Sequence, residues 1–169
     1  MARSNADTGL AYRALSAPWE EALSLFDFAG AGAPPRDGLA AGWGAWSGER
    51  LCGALLAERA GASAMLHGPV VVTEPDIALD IADRLVADAL REAPEAGIDT
   101  VYTRPQGLDR AWVRSGFIPI PEAELPSALR GRPGLGLFGW RGGTALWSSA
   151  GRGASPARGA PPARPGRRR

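Results

Sequence analysis

Lysine is absent from this chain: all 19 basic residues are arginine. Lysine serves well on exposed faces, so its absence reads as biased codon usage and points to no function. A single cysteine, Cys52, excludes an intrachain disulfide and a cysteine metal cluster, and its place in an apolar run makes it a small core residue. A single histidine, His67, cannot by itself assemble the several ligands that zinc requires, so no metal is expected. No apolar stretch approaches the ~20 residues that span a bilayer, and the N-terminal MARSNADTGL lacks the apolar block of a secretory signal. These absences lead to the expectation of a soluble, cytoplasmic protein with no membrane partner.

What is present suffices for one compact core: 169 residues, 45% of them hydrophobic. Charge is uneven along the chain. Residues 1–148 carry 13 arginines against 18 acids, whereas residues 149–169 carry six arginines and no acid. That C-terminal stretch is Gly, Pro, Ala, Ser and Arg without a large apolar side chain. It cannot offset an ordering cost of roughly 1–2 kcal/mol per residue, and a disordered tail is expected over 149–169. Its arginines suit an anion, but no aromatic residues interleave to stack on bases, so nucleic acid is not the expected partner.

Within residues 1–148, LAYRAL (Leu10 to Leu15) reads as a strand. An amphipathic helix is then expected from Pro18 to about Ala29, with Trp19, Ala22, Leu23, Leu25 and Phe26 on its apolar face. Gly30 to Gly42 is too broken by Gly, Ala and Pro to read beyond a loop or short helix. Three antiparallel strands follow, Trp43–Ser47, Arg50–Arg59 and Ala64–Val72, joined by turns at Gly48-Glu49 and Gly61–Ser63. Trp43 and Trp46, three apart, must face opposite sides of their strand, one into the core and the other free to line an acceptor side or, equally, to cover the open face of a helix. A long helix is expected from about Glu74 to Ala93, with Thr73 and Asp76 spaced as a capping box. Then come a strand at Ile98–Thr103, a helix at Leu108–Arg114, an extended Gly116–Ile120, a helical or looped segment, and final strand material within Leu135–Ser148. Strands alternating with helices after a meander indicate a mixed α+β fold, a sheet with helices on both faces.

Three local features carry a resemblance over roughly Leu10 to Ser148. They are the opening YRALSAPWEEALSLF, the strand LHGPVVVTEP, and the aromatic-x-x-x-Gly-Phe junction of AWVRSGF. Together with the element order they resemble the GNAT N-acyltransferase family. The resemblance implies a central mixed sheet of about six to seven strands whose fourth strand parts from its parallel neighbour. Pro69 gives this a physical basis, since proline in an inner strand removes a ladder donor and marks a bulge or separation; an ordinary bulge with no ligand remains open. The resemblance further implies acetyl-CoA or another acyl-CoA as cosubstrate, its thioester against Val70, Val71 and Val72, and an amine acceptor, small molecule or peptide.

The family's Gln/Arg-x-x-Gly-x-Gly/Ala segment, which receives the CoA pyrophosphate, corresponds here to Ile77, Asp80 and Ala82, and only Ala82 keeps the pattern. Glu74, Asp76 and Asp80 bring negative charge to that region; equally, they complement a helix dipole and a solvated face. Where many members place a tyrosine that reprotonates the thiolate, this chain has Trp112, which also reads as a large core residue. The remaining candidates for catalysis are His67 and Tyr102. Two functions stay open: a divergent acyltransferase, and a GNAT-like module that binds or regulates without transferring acyl groups.

Overall fold

The computed structural model describes residues 9–134 and, for the backbone alone, 145–149. Beyond Ser149 the expected tail lies outside the described residues, as does the stretch 135–144 within the last expected strand material. Among the described residues seven strands form one sheet: β1 (Leu10–Leu15), β2 (Leu39–Ser47), β3 (Arg50–Ala60), β4 (Ser63–Val71), β5 (Thr100–Thr103), β6 (Ile118–Ile120) and β7 (Ala145–Ser149). Their spatial order is β1-β2-β3-β4-β5-β7-β6. Only β4 and β5 run parallel; every other neighbouring pair is antiparallel.

Helices cover both faces. α1 (Glu20–Phe28) buries Ala22, Leu23 and Phe26 against Trp46, Ala54, Leu56 and Val70. α2 (Pro75–Glu92) and α3 (Asp109–Arg114) cover the other face, where Ile81, Leu85, Val86 and Trp112 pack on Trp43, Leu55, Leu66 and Val101. The period-2 alternation of each strand against the 3.6-residue period of each helix produces these two layers. Gly53 lets α2 settle close to the sheet, since a Cβ there would stand 2.9 Å from Ile81 Cγ2.

Several sequence expectations shift. α1 begins at Glu20, two residues after Pro18, because Trp19 turns left-handed at φ 67°. β2 begins at Leu39, inside the stretch read as loop, because its pairing with β3 supplies the order that its small residues do not signal. The Thr73–Asp76 capping box does not form. Pro75, pre-set in φ for the first helical position, moves the N-cap to Glu74, which makes no side-chain cap bond. Both tryptophans of β2 are buried, on opposite faces as their spacing requires, so Trp46 does not line an open acceptor side. Cys52 is buried and its Sγ donates to the Ala45 carbonyl at 3.3 Å.

Gly68 has φ +102°, and a Cβ there would lie 2.9 Å from both the Ala54 carbonyl oxygen and the Val70 nitrogen. Neither backbone atom can step aside without breaking the β3–β4 ladder. Gly68→Ala should therefore lower stability by about 2 kcal/mol, measured as a fall in the urea midpoint at unchanged m-value.

Candidate functional site

The sheet parts in its middle. β4 pairs with β5 over Ser63–Leu66 against Thr100–Thr103 and no further, although β4 itself continues to Val71 beside β3. The Thr103 hydroxyl donates to the Leu66 carbonyl at 2.9 Å and closes the last rung. On the β3 side the ladder slips between Ala54 and Leu56, where Gly68 and Pro69 form the irregular piece. Pro69 has no N–H to contribute, and the parting expected from it is present. Past the bulge, Val70 faces Ala54, Val71 faces Gly53, and the Val72 N–H donates to the Cys52 carbonyl at 2.7 Å. Antiparallel alternation then turns the N–H and C=O of Val71 away from β3, toward the opening. Val70 is buried toward α1, while Val71 is half-buried toward α2.

On the α1 face of β4, His67 and Glu58 form a sealed pair, 2% and 4% exposed, with Nε2 and Oε2 3.0 Å apart. Arg132 reaches in from the segment after β6; its Nε donates to Glu58 Oε2 at 2.8 Å and to Oε1 at 3.1 Å. Burial pushes the Glu58 carboxyl up, but hydrogen bonds from Arg132 and then His67, with both charges, outweigh it and hold the pKa at about 2. An ionised Glu58 can only accept, so Nε2 of His67 carries the proton of that bond and Nδ1 is the ring nitrogen left for another partner.

This depressed pKa has a consequence for stability. Relative to the ordinary value of 4.5, about 3 kcal/mol of Glu58's contribution is fully present above pH 4.5 and is lost as pH falls toward about 2. Chemical denaturation from pH 6 to pH 2.5 should show that decline, and Glu58→Gln should flatten it.

Tyr102 stands opposite Met65 on β5, on the same sheet face as His67. With Ile118, Ile120 and Glu124 it lines a hollow at the surface. Burial first, and then the negative charge of Glu124, raise its phenol pKa. Around these groups the loops are tied together. Arg104 pairs with Glu122, and the Gln106 amide receives the Gly32 N–H at 2.7 Å while donating to the Gly32 carbonyl at 3.0 Å.

The start of α2 lies at the end of β4. Here Ile77 and Ala78 N–H groups both point to the Glu74 carbonyl at 3.2 Å, and Pro75 has no N–H. Asp80 and Ala82 are the sixth and eighth residues of α2, and Ala82 is fully buried in the core. Amides at that depth are inside the helix ladder, and Glu74 and Asp76 are exposed beside its first turn. This donor set fits a pyrophosphate poorly, whereas the β4 edge past Leu66, unpaired on its β5 side among the described residues, fits an extended amide-bearing arm. Trp112 is fully buried and packs edge-on against Phe117, centroids 4.9 Å apart at 73°, as a core residue does. Among the described residues no group of three or more His, Cys, Asp or Glu side chains is placed to hold a metal, and no helix is long and apolar enough to cross a membrane.

Glu58 and Arg132 escaped the sequence reading. Glu58 had a signal: it shares the inward parity of Ala54 and Leu56, where an acid needs a partner. Arg132 had none, since its partner is 74 residues away.

No protein-family model and no curated protein sequence matches the chain. Solved structures do match. An acetyltransferase of the GNAT family from Staphylococcus aureus Mu50 aligns with TM-score 0.59 at 15% identity, over 84% of this chain and 99% of that one. The ribosomal-protein-S18-alanine N-acetyltransferase of Escherichia coli aligns with TM-score 0.56 at 11% identity, over 86% and 99%. N-acetylglutamate synthase from Neisseria gonorrhoeae, solved with coenzyme A and N-acetyl-glutamate, aligns with TM-score 0.56 at 14% identity, over 85% of this chain and 35% of that one. The chain has the GNAT fold.

Proposed function

We propose that this chain is an N-acyltransferase that takes an acyl group from acyl-CoA in the opening between β4 and β5 and passes it to an amine. One observation carries the reading: β4 runs on past its last rung with β5, and among the described residues no strand pairs with the Val71 edge on that side. A pantetheine arm can add along that edge as an extra strand would, bringing its thioester beside Val70–Val72. The amine nitrogen then bonds to the thioester carbonyl carbon, the C–S bond breaks, and the sulfur leaves with the electron pair. Holding the two reactants together supplies most of the acceleration.

In this reading the proton released by the attacking amine reaches the buried His67 through intervening water, with Glu58 holding its Nε2–H. Tyr102, a phenol already protonated at neutral pH at its ordinary pKa of 10.0, is the candidate donor to the departing thiolate. Neighbours named for a ribosomal-protein alanine and for N-acetylglutamate support an amine acceptor, small molecule or peptide, as the broad class.

The acidic, donor-poor start of α2 favours a second reading, a GNAT-fold module that does not turn over acyl-CoA. Thermal shift with acetyl-CoA separates the two. At a hundred times the dissociation constant, binding stabilises by about 2.7 kcal/mol, a clear rise in Tm. Thiol release in the presence of an amine panel then reports transfer. Absence of any shift at millimolar acetyl-CoA leaves only the second reading.

If binding is carried by the strand edge, S-acetyl-pantetheine should bind within about tenfold of acetyl-CoA. The double change Glu74→Gln with Asp76→Asn should tighten acetyl-CoA by up to about tenfold while leaving S-acetyl-pantetheine unchanged. Titration calorimetry of both ligands checks the pair of outcomes, and equal effects on the two would place the acids away from the nucleotide.

A further inference from the structure

At the opposite end of α2 lies a second cavity, of about 160 Å³. Its floor is made by Trp43, Ala57, Ala64, Leu66, Ala89 and Val101, all buried. Its rim, formed by Ala93, Ala96, Arg59 and Glu92, is open to solvent. Cores normally set a large side chain against a small one so that layers interdigitate. Here alanine from the helix meets alanine from the strands, and among the described residues no side chain fills the space. An enclosed apolar cavity of about 150 Å³ holds a single benzene ring, which sets the size of apolar body that this open-rimmed one can take. The 18 residues of α2 place this end roughly 27 Å from its start at 1.5 Å per residue, so the cavity lies beneath the paired part of β4 and β5 and away from the first turn of α2.

The rim is charged, and unevenly so. Glu92 is already engaged, accepting from the Trp43 indole N–H at 2.9 Å and from Arg91 at 3.1 Å. Arg59 is held by two carbonyls, its Nε donating to Gly61 and one terminal nitrogen to Ala96, both at 2.9 Å. Those bonds fix the guanidinium at the mouth but neutralise nothing. Among the described residues no carboxylate lies within ion-pair distance of Arg59. A fixed cation with N–H groups to spare, above an apolar floor the size of one ring, matches a molecule with an apolar body and an anionic end.

We infer that this cavity is a binding site for a small monocarboxylate, its single ring or short branched chain on the alanine floor and its carboxylate on Arg59.

Benzoate is the probe, with benzyl alcohol as the uncharged control of the same shape. Saturation-transfer NMR and thermal shift on the full chain should detect benzoate at millimolar concentration or below. Ala57→Leu, which fills the floor, should abolish binding; Ala93→Leu at the rim does the same test should the first variant fail to fold. Arg59→Gln should weaken benzoate about tenfold while leaving benzyl alcohol unchanged. No benzoate signal at about 20 mM, or the same affinity in the filled variants, overturns the site. Equal affinity for benzoate and benzyl alcohol, both indifferent to Arg59→Gln, overturns the carboxylate.

Discussion

Arg132→Met should lower the stability of the folded chain by about 3–5 kcal/mol, because it leaves the Glu58 carboxylate buried without its main counter-charge. The loss is larger than any value expected for a surface ion pair, since the Glu58 side chain is 5% exposed and solvent cannot take over. Urea denaturation at pH 7 reads it directly. Adding Glu58→Leu to Arg132→Met should restore much of the stability, because an apolar replacement of both partners removes the orphaned charge. A double variant no more stable than Arg132→Met alone would mean that the arginine acts by packing and not by neutralising Glu58.

The second large effect concerns turnover. His67→Gln keeps a side-chain N–H able to donate to Glu58 but removes the basic ring nitrogen. If the proposed transfer is correct, kcat should fall by roughly 10²–10⁴-fold, the usual contribution of a positioned proton acceptor, with affinity for acetyl-CoA and Tm little changed. A fall of less than about threefold would assign His67 to the sheet's polar core and leave proximity as the source of rate.

The fold was legible in the sequence because its signals are local. Turns at Gly48-Glu49 and Gly61 delimit β2, β3 and β4, and the spacing of Ile81, Leu85 and Ala89 marks α2. Pro69 signalled the parting of the sheet for a reason any chain obeys: an absent N–H cannot make a rung. Leu39–Gly42 was not legible, since small residues acquire strand order only from β3 beside them. The candidate site divides the same way. His67 and Tyr102 stood out as polar residues in apolar strands, but Arg132 and Gln106 act on partners 74 residues distant, and no local pattern encodes such a distance. Trp112 was read both as a core residue and as a departure from a family pattern; its burial is that of the former.

Gln106 and Gly32 have an effect beyond the two bonds they exchange. A single amide there reproduces the double rung of an antiparallel pair, so the loop leaving β5 and the loop leaving α1 are spliced as though they were strands. Pro133 closes on the same spot, only 2.4 Å from where a Cβ on residue 32 would stand. Three stretches far apart in the chain thus share one contact too tight for even a methyl group. This corner therefore joins the loop after α1, the exit of β5 and the arm bearing Arg132 at a single point.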